Sequence, residues 1–383
     1  MRILALKAKG YVLPAIHDSM VRAFQSRGIE VLDLPLPQNH QQYKTLREIS
    51  RSGYDAVFTL DPGAKTDFTL NIKELQLSIK IPWIIWFVDD PEGYGFPDDF
   101  DPDWTLAFCW DGEISQGKFP WKGRMLAHLP LAADPSVFWP ERANSDLLYP
   151  GGVFVGSTAH SNVFFSEVFR NTPGLGEDVL AVWRSYQKDF SQPLHNLAWM
   201  ALAPKINHEF DSIRTEPLSR LWVKVSVYYV GMIKRKEIVT KVIKLGGGVF
   251  GDGGWTNLVD KGVYLGRVFY GDELRKVYGG SAFTLDVRQP QSRSGLTQRV
   301  FDASACGCPV LSECSPELED LFAPEEEIMS FRNLEEALEM KKLYLQDSTG
   351  AQKKGEKARQ KVLAKHTYRH RVEEIIKALH KFF

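Results

Sequence analysis

The chain has 383 residues, of which 44% are hydrophobic and 25% charged, and its 47 basic and 48 acidic residues leave a formal net charge of −1. That length exceeds what one hydrophobic core usually serves and suits two domains. The balanced charge gives no global drive toward nucleic acid or an anionic membrane, so any anion site must be built locally. No apolar run approaches the roughly 20 residues of a membrane helix, and charges interrupt MRILALKAKG where a signal peptide would be apolar. A cytoplasmic protein with no integral membrane segment and no nucleic-acid partner is expected.

Arg2 to Leu6 reads as a short strand opening on Lys9-Gly10-Tyr11, followed by a helical run from Ala15 to Arg27, Gly28, and a strand from Glu30 to Leu34. This is a βαβ beginning. His17 lies on that first helix and is one candidate general base, because imidazole titrates near neutrality; a lone histidine is more often structural. Tyr54 to Leu60 predicts a further strand ending at Asp61-Pro62-Gly63. Ile81 to Val88 (IPWIIWFV) is continuously apolar and breaks at Asp89-Asp90-Pro91, as a buried parallel strand does at its carboxyl end. Ligands of open α/β sheets bind at such ends. Asp89 and Asp90 are therefore the competing base candidates, although neighbours on extended chain point opposite ways and only one would face inward. An Asp-Pro turn that merely ends the strand is the plainer alternative.

Turn-forming Pro, Asp and Gly interrupt the alternation over residues 128–152, which predicts domains of 1–148 and 149–365 followed by an amphipathic C-terminal helix, 366–383. Val153 to Gly156 opens a second α/β series. It continues through a helical region, about 164–244, the glycine-rich 246–255, a strand at Val263 to Gly266, a helix at Tyr270 to Tyr278, a strand at Ala282 to Val287 and a loop from Arg288 to Ser294. Gly253 and Trp255 in that glycine-rich turn are candidate ligand contacts, since glycine lets backbone approach closely. There is no G-x4-G-K-S/T loop, and no G-x-G-x-x-G at the first strand, so a nicotinamide dehydrogenase is not expected.

From Ser294 the chain reads as loop, buried helix, stop and core strand. Ser294 is a plausible N-cap, Thr297 to Cys306 a helix apolar nearly all round, Gly307 and Pro309 its stop, and Val310-Leu311 a strand. The amino end of that helix suits a phosphate. Asp302 lies about 7.5 Å further along the axis, placed for a sugar hydroxyl next to that phosphate. Gly295, Leu296, Thr297 and Gln298 at the helix entrance are candidate diphosphate contacts. So are Arg267, Arg288, Arg293 and Arg299, with Arg293 and Arg299 preferred because they bracket the first turn. Cys109, Cys306, Cys308 and Cys314 lack zinc spacing and read as reduced core thiols, so no metal is expected.

RVFDASACGCPVLSE resembles the donor-site helix of GT-B glycosyltransferases, in which an acid is followed by Ala, a small residue, Gly and Pro-Val. A closer resemblance is to the CgeB-like glycosyltransferases, through SGL-x-QRVF-D/E-A here at 294–303, GDGGW at 251–255, and the W-x-x-DDP segment ending at Pro91. HLPLAADPSVFWP is similar to the inter-domain connector of GT-B enzymes, and 261–287 to the stretch preceding their donor helix. The resemblance implies an α/β protein of GT-B architecture: two Rossmann-like domains facing a central cleft, with a C-terminal helix packing back across the junction. It implies transfer of a sugar from a UDP- or dTDP-linked donor to an acceptor hydroxyl on a protein, polysaccharide or small glycan, a hexosyltransferase-like activity of class EC 2.4. By the same resemblance Asp302 binds ribose, the diphosphate departs without a metal, and no cofactor is needed. His160, after VFVGST, is a further candidate for the donor. Ser294 and Gly295 stand where many GT-B enzymes carry a first acid. A coat-associated protein retaining the fold without catalysis, and another nucleotide-sugar enzyme such as an epimerase, are the competing readings.

Overall fold

The computed structural model describes residues 1–7, 9–37, 39–61, 76, 80–91, 101–118, 125–141, 148–158, 163–206 and 217–383. They form two compact units: Met1–Asp134 together with Ala364–Phe383, and Pro135–Leu363. The first unit ends at Asp134, whereas composition places the boundary after residue 148.

The first unit is built on a parallel sheet of six strands, β1 (Arg2–Lys7), β2 (Glu30–Pro35), β3 (Ala56–Leu60), β4 (Trp83–Phe87), β5 (Thr105–Cys109) and β6 (Met125–His128), in the order β2-β1-β3-β4-β5-β6. Every residue of β3, β4 and β5 is buried. Central parallel strands are covered on both faces, which is why IPWIIWFV shows no alternation. The helix Leu13–Gln25 begins with a proline in its first turn and buries Ile16, Met20 and Phe24.

The C-terminal helix, Tyr368–Phe382, belongs to this unit and packs on Leu13–Gln25. Its start is fixed by backbone bonds from Ala133 to His366 and from Tyr368 to Ala133, by a capping box between Thr367 and His370, and by the Arg371 guanidinium. That side chain donates to the carbonyls of Pro130 (2.6 Å) and Leu131 (2.9 Å). Burial lowers its pKa to about 10. Tyr368 also meets the indole of Trp86 edge-on.

The second unit carries a parallel sheet of β7 (Val153–Val155), β8 (Gly248–Phe250), β9 (Thr284–Asp286), β10 (Val310–Glu313) and β11 (Met329–Phe331), in the order β11-β10-β9-β7-β8. Among the described residues between β7 and β8 are the helices Val163–Asn171, Leu175–Tyr186, Leu194–Ile206 and the 26-residue Pro217–Val242. The last of these runs back over the sheet, burying Val230, Ile238 and Val239 in a core with Phe154, Val249, Leu285 and Leu311. The strand expected at Val263 to Gly266 is a single bridge between Tyr264 and Val249. The four cysteines are buried and unpaired. Among the described residues no helix is long and apolar enough to cross a membrane.

Candidate functional site

In the second unit β8 lies on one side of β7 and β9 on the other, so the order reverses between β7 and β9. The crevice outside the carboxyl ends of such strands is where open α/β sheets hold ligands. Three segments surround it here: Gly156 to Thr158 after β7, Gly251 to Trp255 after β8, and Arg288 to Thr297 after β9.

The first two are tied together by a residue that the sequence reading passed over. Asp252 accepts from the Thr158 amide (2.7 Å), the Thr158 hydroxyl (2.7 Å) and the Gly254 amide (2.8 Å). Gly251 is forced by crowding, because a Cβ there would sit 2.1 Å from the carbonyl oxygen of Gly156. Gly253 is exposed at the tip of the turn. Trp255, expected to face a ligand, does not: it is fully buried, packs edge-on against Phe154, and donates its indole N–H to Gly156 (2.8 Å). Its role is to hold the two loops together.

The helix after β9 runs Gln298–Ala305, with Thr297 rather than Ser294 at the N-cap position. The Thr297 hydroxyl donates to Asp286 (2.6 Å) instead of accepting from the helix, so it does not cap the first-turn amides. Ser294 is buried and donates to Glu317 (2.8 Å). Gly295 and Leu296 are buried. Asp302, one turn further on and only 1% exposed, accepts from the Gln298 side chain (2.8 Å).

Two of the four expected arginine contacts are spent within the protein. Arg299 bonds the Val155 carbonyl and the Asp286 carboxylate, with its guanidinium 4.8 Å from the Phe154 ring centre. Arg288 is buried and donates to Glu313 (2.9 and 3.1 Å), to Phe190 and to the Arg293 carbonyl. Both position the crevice walls. Arg293 is half-buried, and Arg267 is exposed on the loop before the helix Asp272–Gly279. His160 lies outside the described residues.

The structure adds three consecutive cations from the long helix. Successive helix residues turn by about 100°, and Lys234, Arg235 and Lys236 accordingly face different strand ends, four in all. Lys234 meets Glu313 at the end of β10 (2.8 Å) with both side chains buried. Arg235, with no exposed surface, donates to Ser157 after β7 and to Val287 after β9, both at 3.1 Å. Its Nε has no partner. Half-buried Lys236 feels the Asp252 charge beyond β8. Burial takes Lys234 down to about 8 and, with Arg299 beside it, Arg235 down to about 10. Burial alone would raise Glu313, but Lys234 and Arg288 hold it below the ordinary carboxylate value.

In the first unit the strand ends carry carboxylates: Asp61 after β3, Asp89 and Asp90 after β4, Asp111 after β5. Asp89 and Asp90 are half-buried, and the Asp89 carboxylate accepts the Asp90 amide (2.8 Å). The third base candidate is displaced. His17 has no exposed surface, its Nε2 is bound to Asp33 (2.8 Å), and burial lowers its pKa against the pull of Asp33. It is a core residue with no route to a substrate.

Residues 233–377 match a family model described as glycosyl transferase-like. A search of curated protein sequences finds no match. Among solved structures the chain is similar to an alpha-glucosyltransferase in complex with UDP, at a TM-score of 0.57 and 12% identity, over 99% of this chain and 100% of that one. Sucrose-phosphate synthase from Thermosynechococcus elongatus gives 0.52 and 12%, over 100% and 99%. The Anabaena protein HepE, in complex with UDP and glucose, gives 0.50 and 10%, over the whole of both chains. The fold is GT-B. At such identities a likeness carries the fold alone, so the GT-B frame locates the crevice and its own side chains must supply the chemistry.

Proposed function

We propose that this chain is a glycosyltransferase that moves a sugar from a nucleoside diphosphate donor to an acceptor hydroxyl. The observation that carries the reading is the β7–β9 crevice, where a helix N-terminus without a side-chain cap stands among buried cations. Lys234, Arg235, Arg288 and Arg299 are opposed there by Glu313 and Asp286. The field of such a site favours an incoming anion, and fixed dipoles and charges in a dry crevice stabilise charge that grows on a leaving diphosphate. The glycosyl transferase-like match over 233–377 supports the same reading.

In this mechanism the amides of Gly295, Leu296, Thr297 and Gln298, with the side chains of Thr297 and Gln298, bind the diphosphate, and Asp302 takes the ribose hydroxyls. Gly253, Arg267 and Arg293 border the nucleoside and sugar. Asp89 or Asp90 removes the proton from the acceptor hydroxyl as the bond to the anomeric carbon forms and the nucleoside diphosphate leaves. A UDP- or dTDP-linked hexose, a CgeB-like subtype, departure without a metal, and an acceptor on protein, polysaccharide or small glycan complete the proposal.

The test is a thermal-shift panel of nucleotides and nucleotide sugars, since a ligand of the folded state alone raises its melting temperature. UDP or dTDP should raise it. No shift with any nucleoside diphosphate removes the basis of the proposal, and diphosphate release that ignores added acceptor and chelator alike would point to hydrolysis instead of transfer.

A further inference from the structure

Asp61 stands at the point where β3 hands over to the carboxylate rim. Its φ of +34° is left-handed, a region that residues with side chains rarely occupy, and it has no exposed surface. Its amide donates to the Trp86 carbonyl (3.3 Å), continuing the ladder in which Leu60 pairs with Trp86. Beyond that step the side chain takes over: the Val88 amide donates to both carboxyl oxygens, at 3.2 and 3.3 Å. The carboxyl thus stands in for the backbone carbonyl that a continued strand would present. The residues it secures lead directly into Asp89 and Asp90.

We infer that Asp61 is a positioning residue, holding the Val88–Asp90 turn so that one carboxylate of the Asp89–Asp90 pair faces the acceptor. The inference rests on the glycosyl-transfer reading only in taking that pair as the base. A buried carboxyl is a costly way to hold a turn unless it sheds its charge. Burial drives the Asp61 pKa well up, and the charges of Asp89 and Asp90 drive it further, against the amides of Val88 and Asp89. The groups facing it are Asp89 and Asp90 from the end of β4 and, from the end of β5, Cys109, whose own pKa burial raises, aided by the charges of Asp111, Asp90 and Asp61, against a backbone hydrogen bond from Asp111. Asp61 therefore holds its proton to higher pH than an ordinary carboxyl does, and in that form it fixes the turn without adding a negative charge beside the base.

An asparagine offers the same carbonyl acceptor without a charge, and an alanine offers nothing. The full-length chain is assayed with UDP-glucose, water serving as acceptor and UDP release as the signal, beside hydrogen exchange of the 84–90 segment. Asp61→Ala should lower kcat by roughly ten- to a hundredfold, as misplacement of a reacting group does, with UDP affinity unchanged. Exchange at Val88 and Asp89 should rise. Asp61→Asn should restore kcat to within about threefold, leave the acid limb of the pH profile in place, and restore the protection. An alanine variant with wild-type kcat and exchange overturns the inference, and so does an asparagine variant impaired as deeply as alanine. If the wild type turns over no donor while exchange responds as described, the glycosyl-transfer reading fails and the positioning of the turn stands.

Discussion

Arg235 and Arg299 span the same gap: Arg235 joins the carbonyls of Ser157 and Val287, while Arg299 joins the Val155 carbonyl to the Asp286 carboxylate. Both cations stitch the end of β7 to the end of β9, beyond the Val153–Thr284 pairing that joins the two strands. Their charge is fixed in place before any ligand arrives. An anion entering the crevice meets a positive field with little reorganisation, which is the condition for strong electrostatic stabilisation.

The ribose assignment is tested at Asp302. A hydrogen bond involving a charged group contributes about 1.5–3 kcal/mol, or roughly ten- to a hundredfold in affinity. Asp302→Ala should weaken UDP binding by that factor in calorimetry. Gln298→Ala should weaken UDP binding less than Asp302→Ala does, because it removes one diphosphate contact while freeing the carboxylate from its 2.8 Å partner. Normal affinity in Asp302→Ala would remove the assignment.

The cluster around Glu313 should be unequal in its response. Glu313 serves both Lys234 and Arg288, so Glu313→Gln strands two buried cations and should cost about 3–5 kcal/mol in urea unfolding. Lys234→Met should cost less, since Arg288 still neutralises the carboxylate. The pH dependence follows from proton binding. Glu313 has a folded pKa below its unfolded value, so its contribution is present above that value and is lost as pH falls through the folded pKa. Lys234, at about 8 when folded against 10.5, makes stability rise with pH between those two values. Lys234→Met should abolish that rise.

How far the site could be read from the sequence depended on the span of each interaction. IPWIIWFV declared a central strand because burial on both faces leaves a local pattern, and Gly307 with Pro309 marked the end of the helix Gln298–Ala305 by local backbone preference. Asp302 stood out as an acid in an apolar helix. The partners of the cations left no such trace: Lys234 meets Glu313 across 79 positions and Arg299 meets Val155 across 144. Arginines near a helix entrance therefore read as ligand contacts when two of them are structural. The long helix was legible within the helical region at about 164–244, but the partners of its Lys234, Arg235 and Lys236 were not. Asp61 looked like a turn residue because its role is defined by Val88, just beyond the next strand.

The loops after β7 and β8 should fail together. A Cβ at Gly251 would meet the Gly156 carbonyl, a backbone atom that cannot step aside without moving β7. Gly251→Ala should lower both the melting temperature and UDP affinity. Trp255→Phe retains the packing on Phe154 but strands the Gly156 carbonyl, at about 1–3 kcal/mol. A Trp255→Phe variant of unchanged stability that lost UDP affinity would restore the indole as a ligand contact.

His17 separates a structural histidine from a catalytic one. Its ring is enclosed, bound to Asp33 through Nε2, and near Phe58, with ring centres 6.1 Å apart. Burial sets its folded pKa below the unfolded value of 6.5, so the unfolded chain takes up the proton first and stability falls as pH drops through that value. His17→Asn leaves a donor toward Asp33 and removes the titration. Its melting temperature should lose part of the slope that the wild type shows between about pH 7.5 and 5.5. A general base contributes about a hundredfold or more to rate, so UDP-glucose turnover in His17→Asn should stay within about threefold of wild type. A hundredfold loss at unchanged melting temperature would return the base to His17 and take it from the Asp89–Asp90 turn.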